Sequence, residues 1–157
     1  MSMTLIQEQV LGSAAPSVTF GSIPQTYTDL VLEVVGTNSA IDVIALRFNG
    51  DTGANYSYTA VGGNGTSAYS NRGTGSVNAG LLYTSPTGQF LVVSNIMSYA
   101  NTSAYKTQVT RRNLPGGEVG AVVTLWRNTA AITSILAFNA SGNTFAAAST
   151  FRLWGIA

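Results

Sequence analysis

Six carboxylates, Glu8, Asp29, Glu33, Asp42, Asp51 and Glu118, carry most of the acid–base chemistry open to this chain, because its 157 residues include no His and no Cys. A glycosidase would need two of them facing a sugar about 5 to 9.5 Å apart. Glu33 draws notice because its neighbours are apolar, and burial there would raise its pKa. The plainer reading is an outward-facing residue, or one paired with an arginine across a subunit contact. Without His and Cys the chain has no His- or Cys-ligated zinc, no Cys nucleophile, no Ser-His-Asp triad and no histidine base. The expectation is a protein that is not an enzyme and holds no cofactor.

The remaining polar clusters read as contacts or turns. Asn49-Gly50-Asp51-Thr52-Gly53-Ala54-Asn55 sets oxygen-bearing side chains around glycines, as calcium loops do. It lacks the EF-hand spacing, and Asn-Gly is what a tight turn between strands requires. Gly63-Asn64-Gly65 and Gly73-Thr74-Gly75 lack the Lys-Ser/Thr ending and the following helix of a phosphate loop. Lys106, Arg111 and Arg112, near Tyr99 and Tyr105, form the densest basic patch. With a net charge of +1 the chain has no field to attract nucleic acid or anionic lipid, so neither is an expected partner. Tyr56, Tyr58, Tyr69 and Tyr83 fall in or near a Gly-, Ser- and Asn-rich stretch, a mixture suited to protein contact or to stacking on glycan. The candidate contact residues are therefore Tyr56, Tyr58, Asn64, Tyr69, Arg72, Arg111, Arg112, Arg152 and Trp154.

These residues need elements to hold them. Charged residues make up only 8% of the chain, and Ser, Thr, Asn and Gly supply the polarity instead. Apolar runs rich in Val, Ile, Leu, Thr and aromatics recur between Gly, Asn, Pro and Ser clusters, which is strand punctuation. They cover 5–11, 17–20, 29–35, 42–48, 56–61, 77–83, 89–97, 105–111, 119–126, 132–138 and 150–156. Ile44, Leu46 and Phe48 share one face, and Ile132, Ser134, Leu136 and Phe138 repeat the alternation. Phe151 and Leu153 oppose Arg152 and Trp154, which suggests an outer surface half covered by something else. No segment holds an apolar pattern at helical spacing. No apolar run nears the length of a membrane span, and the first residues do not read as a secretion signal. The stretch 62–75 reads as a long flexible loop and the first choice for a contact loop. Together these predict one all-β domain over 1–157, an antiparallel β-sandwich of jelly-roll-like form with about 8–11 short strands. Residues 1–10 are its candidate anchoring arm.

Four stretches carry a resemblance to a known family. They are Ser22-Ile23-Pro24-Gln25-Thr26-Tyr27-Thr28-Asp29-Leu30, Arg47-Phe48-Asn49-Gly50-Asp51-Thr52-Gly53-Ala54-Asn55-Tyr56, Asn128-Thr129-Ala130-Ala131-Ile132-Thr133-Ser134-Ile135, and Phe151-Arg152-Leu153-Trp154-Gly155-Ile156. They resemble the small structural proteins of tailed bacteriophages, including cyanophages. The resemblance implies a virion component of jelly-roll-like fold, a homotrimer, on the capsid exterior or in the tail. It implies a partner in the major capsid protein or another virion protein, and it carries over no catalytic residue. A capsid decoration or cement protein is the first expectation. The alternative is a tail or fibre module that grips host surface glycan through the tyrosine-rich stretch.

Overall fold

The computed structural model describes residues 2–84, 88–113 and 117–157. Among them the chain forms twelve strands and no helix. They are β1 (Met3–Val10), β2 (Ser17–Phe20), β3 (Asp29–Gly36), β4 (Asp42–Phe48), β5 (Tyr56–Gly63) and β6 (Ala68–Ser76), then β7 (Ala79–Thr84), β8 (Phe90–Met97), β9 (Lys106–Asn113), β10 (Val119–Trp126), β11 (Ile135–Asn139) and β12 (Thr150–Ile156). Eight of them pair in the order β1-β12-β3-β8-β9-β10-β5-β6, and four in the order β2-β11-β4-β7. Every pairing is antiparallel.

The period-2 alternation of a strand explains why two sheets form. Leu30, Leu32 and Val34 of β3, Phe90, Val92 and Ile96 of β8, and Phe151 and Leu153 of β12 are buried on one side of the larger sheet. They share a core with Val18, Phe20, Ile44, Leu46, Phe48, Ile135 and Ala137 of the smaller one. This is a β-sandwich. Its strand order is nested: β1 lies beside β12, β2 beside β11, β3 beside β8 and β4 beside β7. The pairs β5–β6 and β9–β10 enter between these and widen the larger sheet.

Three sequence expectations need correction. Within the candidate anchoring arm 1–10, residues 3–10 do not hang free: β1 pairs with β12 from Met3 to Val10, and of these ten residues only Met1 lies outside the described ones. Gln7 and Gln9 reach from β1 to the carbonyls of Gly21 and Thr19, 2.9 and 2.8 Å away, and tie the two sheets at that edge. The predicted loop over 62–75 is instead the end of β5, a turn at 64–67 and β6, a hairpin in register from Ser57 to Gly63 with a shift between Tyr56 and Ser57. In β11 the buried side chains are Ile135, Ala137 and Asn139, while Leu136 and Phe138 face outward. There the Arg47 guanidinium covers the Phe138 ring at 4.5 Å.

The four stretches that carry the family resemblance hold one another. Asn49, in the left-handed region at φ 52 beside Gly50 at φ 68, closes a two-residue turn in which Asp51 N–H donates to the Phe48 carbonyl at 3.0 Å. Its side-chain oxygen accepts the N–H groups of Thr133 and Ser134 at 2.8 and 3.1 Å, and its amide donates to the Ala131 carbonyl at 2.8 Å. Ile23 N–H donates to the Thr133 carbonyl at 3.1 Å, and Thr28 N–H to the Ile156 carbonyl at 2.7 Å. These motifs are therefore spent on the frame.

Candidate functional site

Strand alternation sorts the candidate residues onto opposite faces. Arg111, Arg152 and Trp154 lie on the outward side of the larger sheet, with Arg72 on the same side of β6. In register order this side presents Glu8, Arg152, Glu33, Val93, Arg111, Ala121 and Val61 along one row. The next row along the strands presents Leu5, Trp154, Val31, Asn95, Val109, Val123 and Thr59. The smaller sheet covers the opposite side, so the exposed apolar residues here face water. Met3, Leu5 and Val10 of β1, Val61 of β5, Leu91 and Met97 of β8, and Val119 and Val123 of β10 account for eight of the eleven large hydrophobics exposed among the described residues. Their charges are mostly paired. Arg152 bonds Glu8 at 2.5 Å and Glu33 at 3.1 Å, which holds its pKa up, and Arg111 reaches the Asn95 side-chain oxygen at 3.3 Å.

A shallow depression of about 320 Å³ lies on the same side, lined by Ser57, Tyr58, Thr59, Arg72, Gly73, Thr74, Thr107, Val123, Thr124 and Leu125. Its walls are hydroxyls and one guanidinium, and its floor is aliphatic. Of the sequence candidates Tyr58 and Arg72 border it, while the other lining residues come from strands far apart in the chain. The apolar face itself had a signal. In 119–126, Val122 and Trp126 serve the core while Val119 and Val123 point away from it, and a strand apolar on both sides expects cover on both.

Except for Asn64, the other described candidates turn inward. Tyr56 is fully buried, so it is a core residue and not a contact. Its hydroxyl accepts the Phe48 N–H at 3.1 Å, and burial pushes its pKa up to about 12. It packs with Phe48 and Trp126, whose ring centroids lie 5.5 Å apart. Tyr58 lies over Gly73, where a Cβ would come within 2.5 Å of the ring. Tyr69 lies over Gly62 in the same way, and its hydroxyl is held by Glu118 at 2.9 Å and by Arg112. Arg112 and Glu118 pair at 2.7 Å with the Arg112 side chain 7% exposed. Asn64 spends its side-chain oxygen on the N–H groups of Thr66 and Ser67, at 3.0 and 2.9 Å, which caps the hairpin turn. The side chain of Tyr83 lies outside what the structure describes.

Alternation also dissolves the basic patch. Lys106 and Arg112 point inward and Arg111 outward. Lys106 is 1% exposed, donates to the carbonyls of Ala104 and Thr129 at 2.7 and 3.1 Å, and has its pKa lowered by burial. Asp51 accepts Trp126 Nε1–H at 2.7 Å and Gly53 N–H at 2.8 Å, and Asn55 donates to it at 3.0 Å. The stretch 49–55 is thus a turn. Asp42 accepts Val43, Ser141 and Asn143 N–H groups in the same manner. With the geometry in place, comparison adds nothing to it: no family model matches the chain, and no curated protein matches it.

Proposed function

We propose that the chain is a structural protein of a phage virion, in the first place a decoration or cement protein of the capsid exterior that acts by contact and not by catalysis. The observation that carries the reading is the outward face of the larger sheet. A wide apolar face with its charges mostly paired is suited to a protein partner, and its contacts depend little on salt. The nested strand order supports it. We read that order as a jelly roll with two added strand pairs, an architecture that serves in viral capsids and lectins. Many copies on a shell add small contact energies into a large total.

The depression beside Arg72 favours the second reading, a receptor-binding module for host glycan. Its hydroxyls and guanidinium suit a sugar with an acidic group, and the aliphatic floor suits the C–H face of a ring. Immunogold labelling of purified particles separates the two. Label over the head supports the decoration role. Label confined to the tail tip moves the function to the glycan reading, with adsorption lost in an Arg72→Ala variant. Particles that carry no label would rule out both.

A further inference from the structure

We infer that the outward face of the eight-stranded sheet pairs with the same face of a second copy, about a two-fold axis that runs along β8. The inference rests on reading this face as a protein contact and names its partner. It does not depend on where in a virion the protein sits.

The charges of the face complement each other across such an axis. Glu33 on β3 and Arg111 on β9 stand in one register row, one strand to either side of Val93 on β8. Rotation by 180° about an axis along β8 lays β3 of one copy over β9 of the other. Glu33, which keeps its bond to Arg152 of its own chain, then also meets the second copy's Arg111, and Arg111 meets the second copy's Glu33, which is what an isologous interface requires. Arg111 is exposed and among the described residues its side chain bonds Asn95, a long contact from which it can turn across. The residues on the axis itself suit self-contact. Leu91, Val93 and Met97 would each meet their own copy, and the Asn95 amides would meet as mutual donor and acceptor. The same rotation lays Val31 over Val109 and Trp154 over Val123.

Eight strands about 4.8 Å apart and about 25 Å long make a face of roughly 900 Å². A stable interface takes about 800 Å² from each partner. Centred on β8, three strands lie to each side and β6 is left at the rim. A three-fold arrangement, which the family resemblance implies, would not bring Glu33 and Arg111 together reciprocally.

Light scattering after size exclusion on the full chain tests the pairing. The expected mass is twice 16.3 kDa, retained in 1 M salt. Val93→Arg puts two guanidiniums on the axis and is expected to weaken pairing at least tenfold, with the circular dichroism of the monomer unchanged. Glu33→Arg and Arg111→Glu are each expected to remain monomeric alone and to pair when mixed, because the mixed interface restores both ion pairs. A trimer mass, or mixing that fails to restore pairing while both variants stay folded, overturns the two-fold axis. A chain that is monomeric at high concentration, yet loses shell binding on Val93→Arg, overturns pairing and leaves the contact reading standing with the shell as partner.

Discussion

Asp51 shows how a single side chain decides whether a turn is a turn. The sequence shows Asp51 among glycines and asparagines, a pattern shared by calcium loops and tight turns. The distinction comes from Trp126, 75 residues away, whose indole N–H ends on the carboxylate at 2.7 Å. Replacing Asp51 with Ala leaves a buried indole donor unpaired, at a cost of about 1–3 kcal/mol. Urea unfolding is expected to show that loss in the wild-type background and much less of it in Trp126→Phe, where no donor remains. Burial pushes the Asp51 and Asp42 carboxyls up, but their hydrogen bonds outweigh it and hold both below the ordinary 3.8. Their contribution to stability is therefore complete above that value and is lost as pH falls beneath it. Tyr56 gives the alkaline counterpart. Its phenol is held at about 12 against an unfolded 10.0, so the unfolded chain releases this proton first and stability falls as pH rises from 10 towards 12. In Tyr56→Phe that part of the decline is expected to vanish from the unfolding midpoints. Nothing local marks Tyr56 as core and Trp154 as surface. Both sit in alternating strands, and only the sheet that covers one side tells them apart.

At the scale of elements, most strands were legible because apolar alternation and Gly or Asn punctuation agree. The ranges 42–48, 119–126 and 150–156 stand in the structure as read. The β5–β6 hairpin was not legible, and the reason is physical. Its glycines read as flexibility, yet Gly62 and Gly73 sit in paired strands where the side chains of Tyr69 and Tyr58 approach them closely. Glycine inside a strand marks such a close approach, with the cross-strand aromatic supplying the cover that a Cβ would have given. An ordinary exposed strand would gain from Gly→Ala. Here Gly73→Ala is expected to cost about 1–3 kcal/mol, since its Cβ would fall 2.5 Å from the Tyr58 ring. In a Tyr58→Ala background the same change is expected to cost little. Thermal unfolding of the four proteins measures the coupling. Equal costs in both backgrounds would mean that the ring does not rest on this glycine. The same element-level geometry dissolved the tyrosine contact loop, because the rings of Tyr56, Tyr58 and Tyr69 point to the inner side of the sheet.

For the whole molecule, the nested order has a consequence that no strand carries alone. The first strand closes the edge of the last, so β12 is an interior strand only while β1 is present. Met3–Val10 also carries Gln7 and Gln9, the cross-ties to the smaller sheet. Deleting residues 2–10 therefore strips an edge strand, opens unpaired N–H and C=O groups along β12 and removes the ties. The expected result is a fall in thermal midpoint of roughly 10 °C or more, with aggregation, before any question of particle binding arises. A loss of binding in that deletion would thus say nothing about anchoring. A circular permutant separates order from integrity. Ser2 and Ala157 bond each other through both backbone N–H groups, at 3.2 and 3.1 Å, so a short glycine linker spans them. New ends opened between Gly65 and Thr66, in the exposed hairpin turn, break no strand pairing. This permutant keeps every strand and every pair but begins the chain at β6. Cooperative unfolding near the parent midpoint is expected of it, because stability resides in which strands lie together and not in which is made first. If it fails to fold while the deletion folds well, then β1 is dispensable and the nested closure is not what holds the larger sheet.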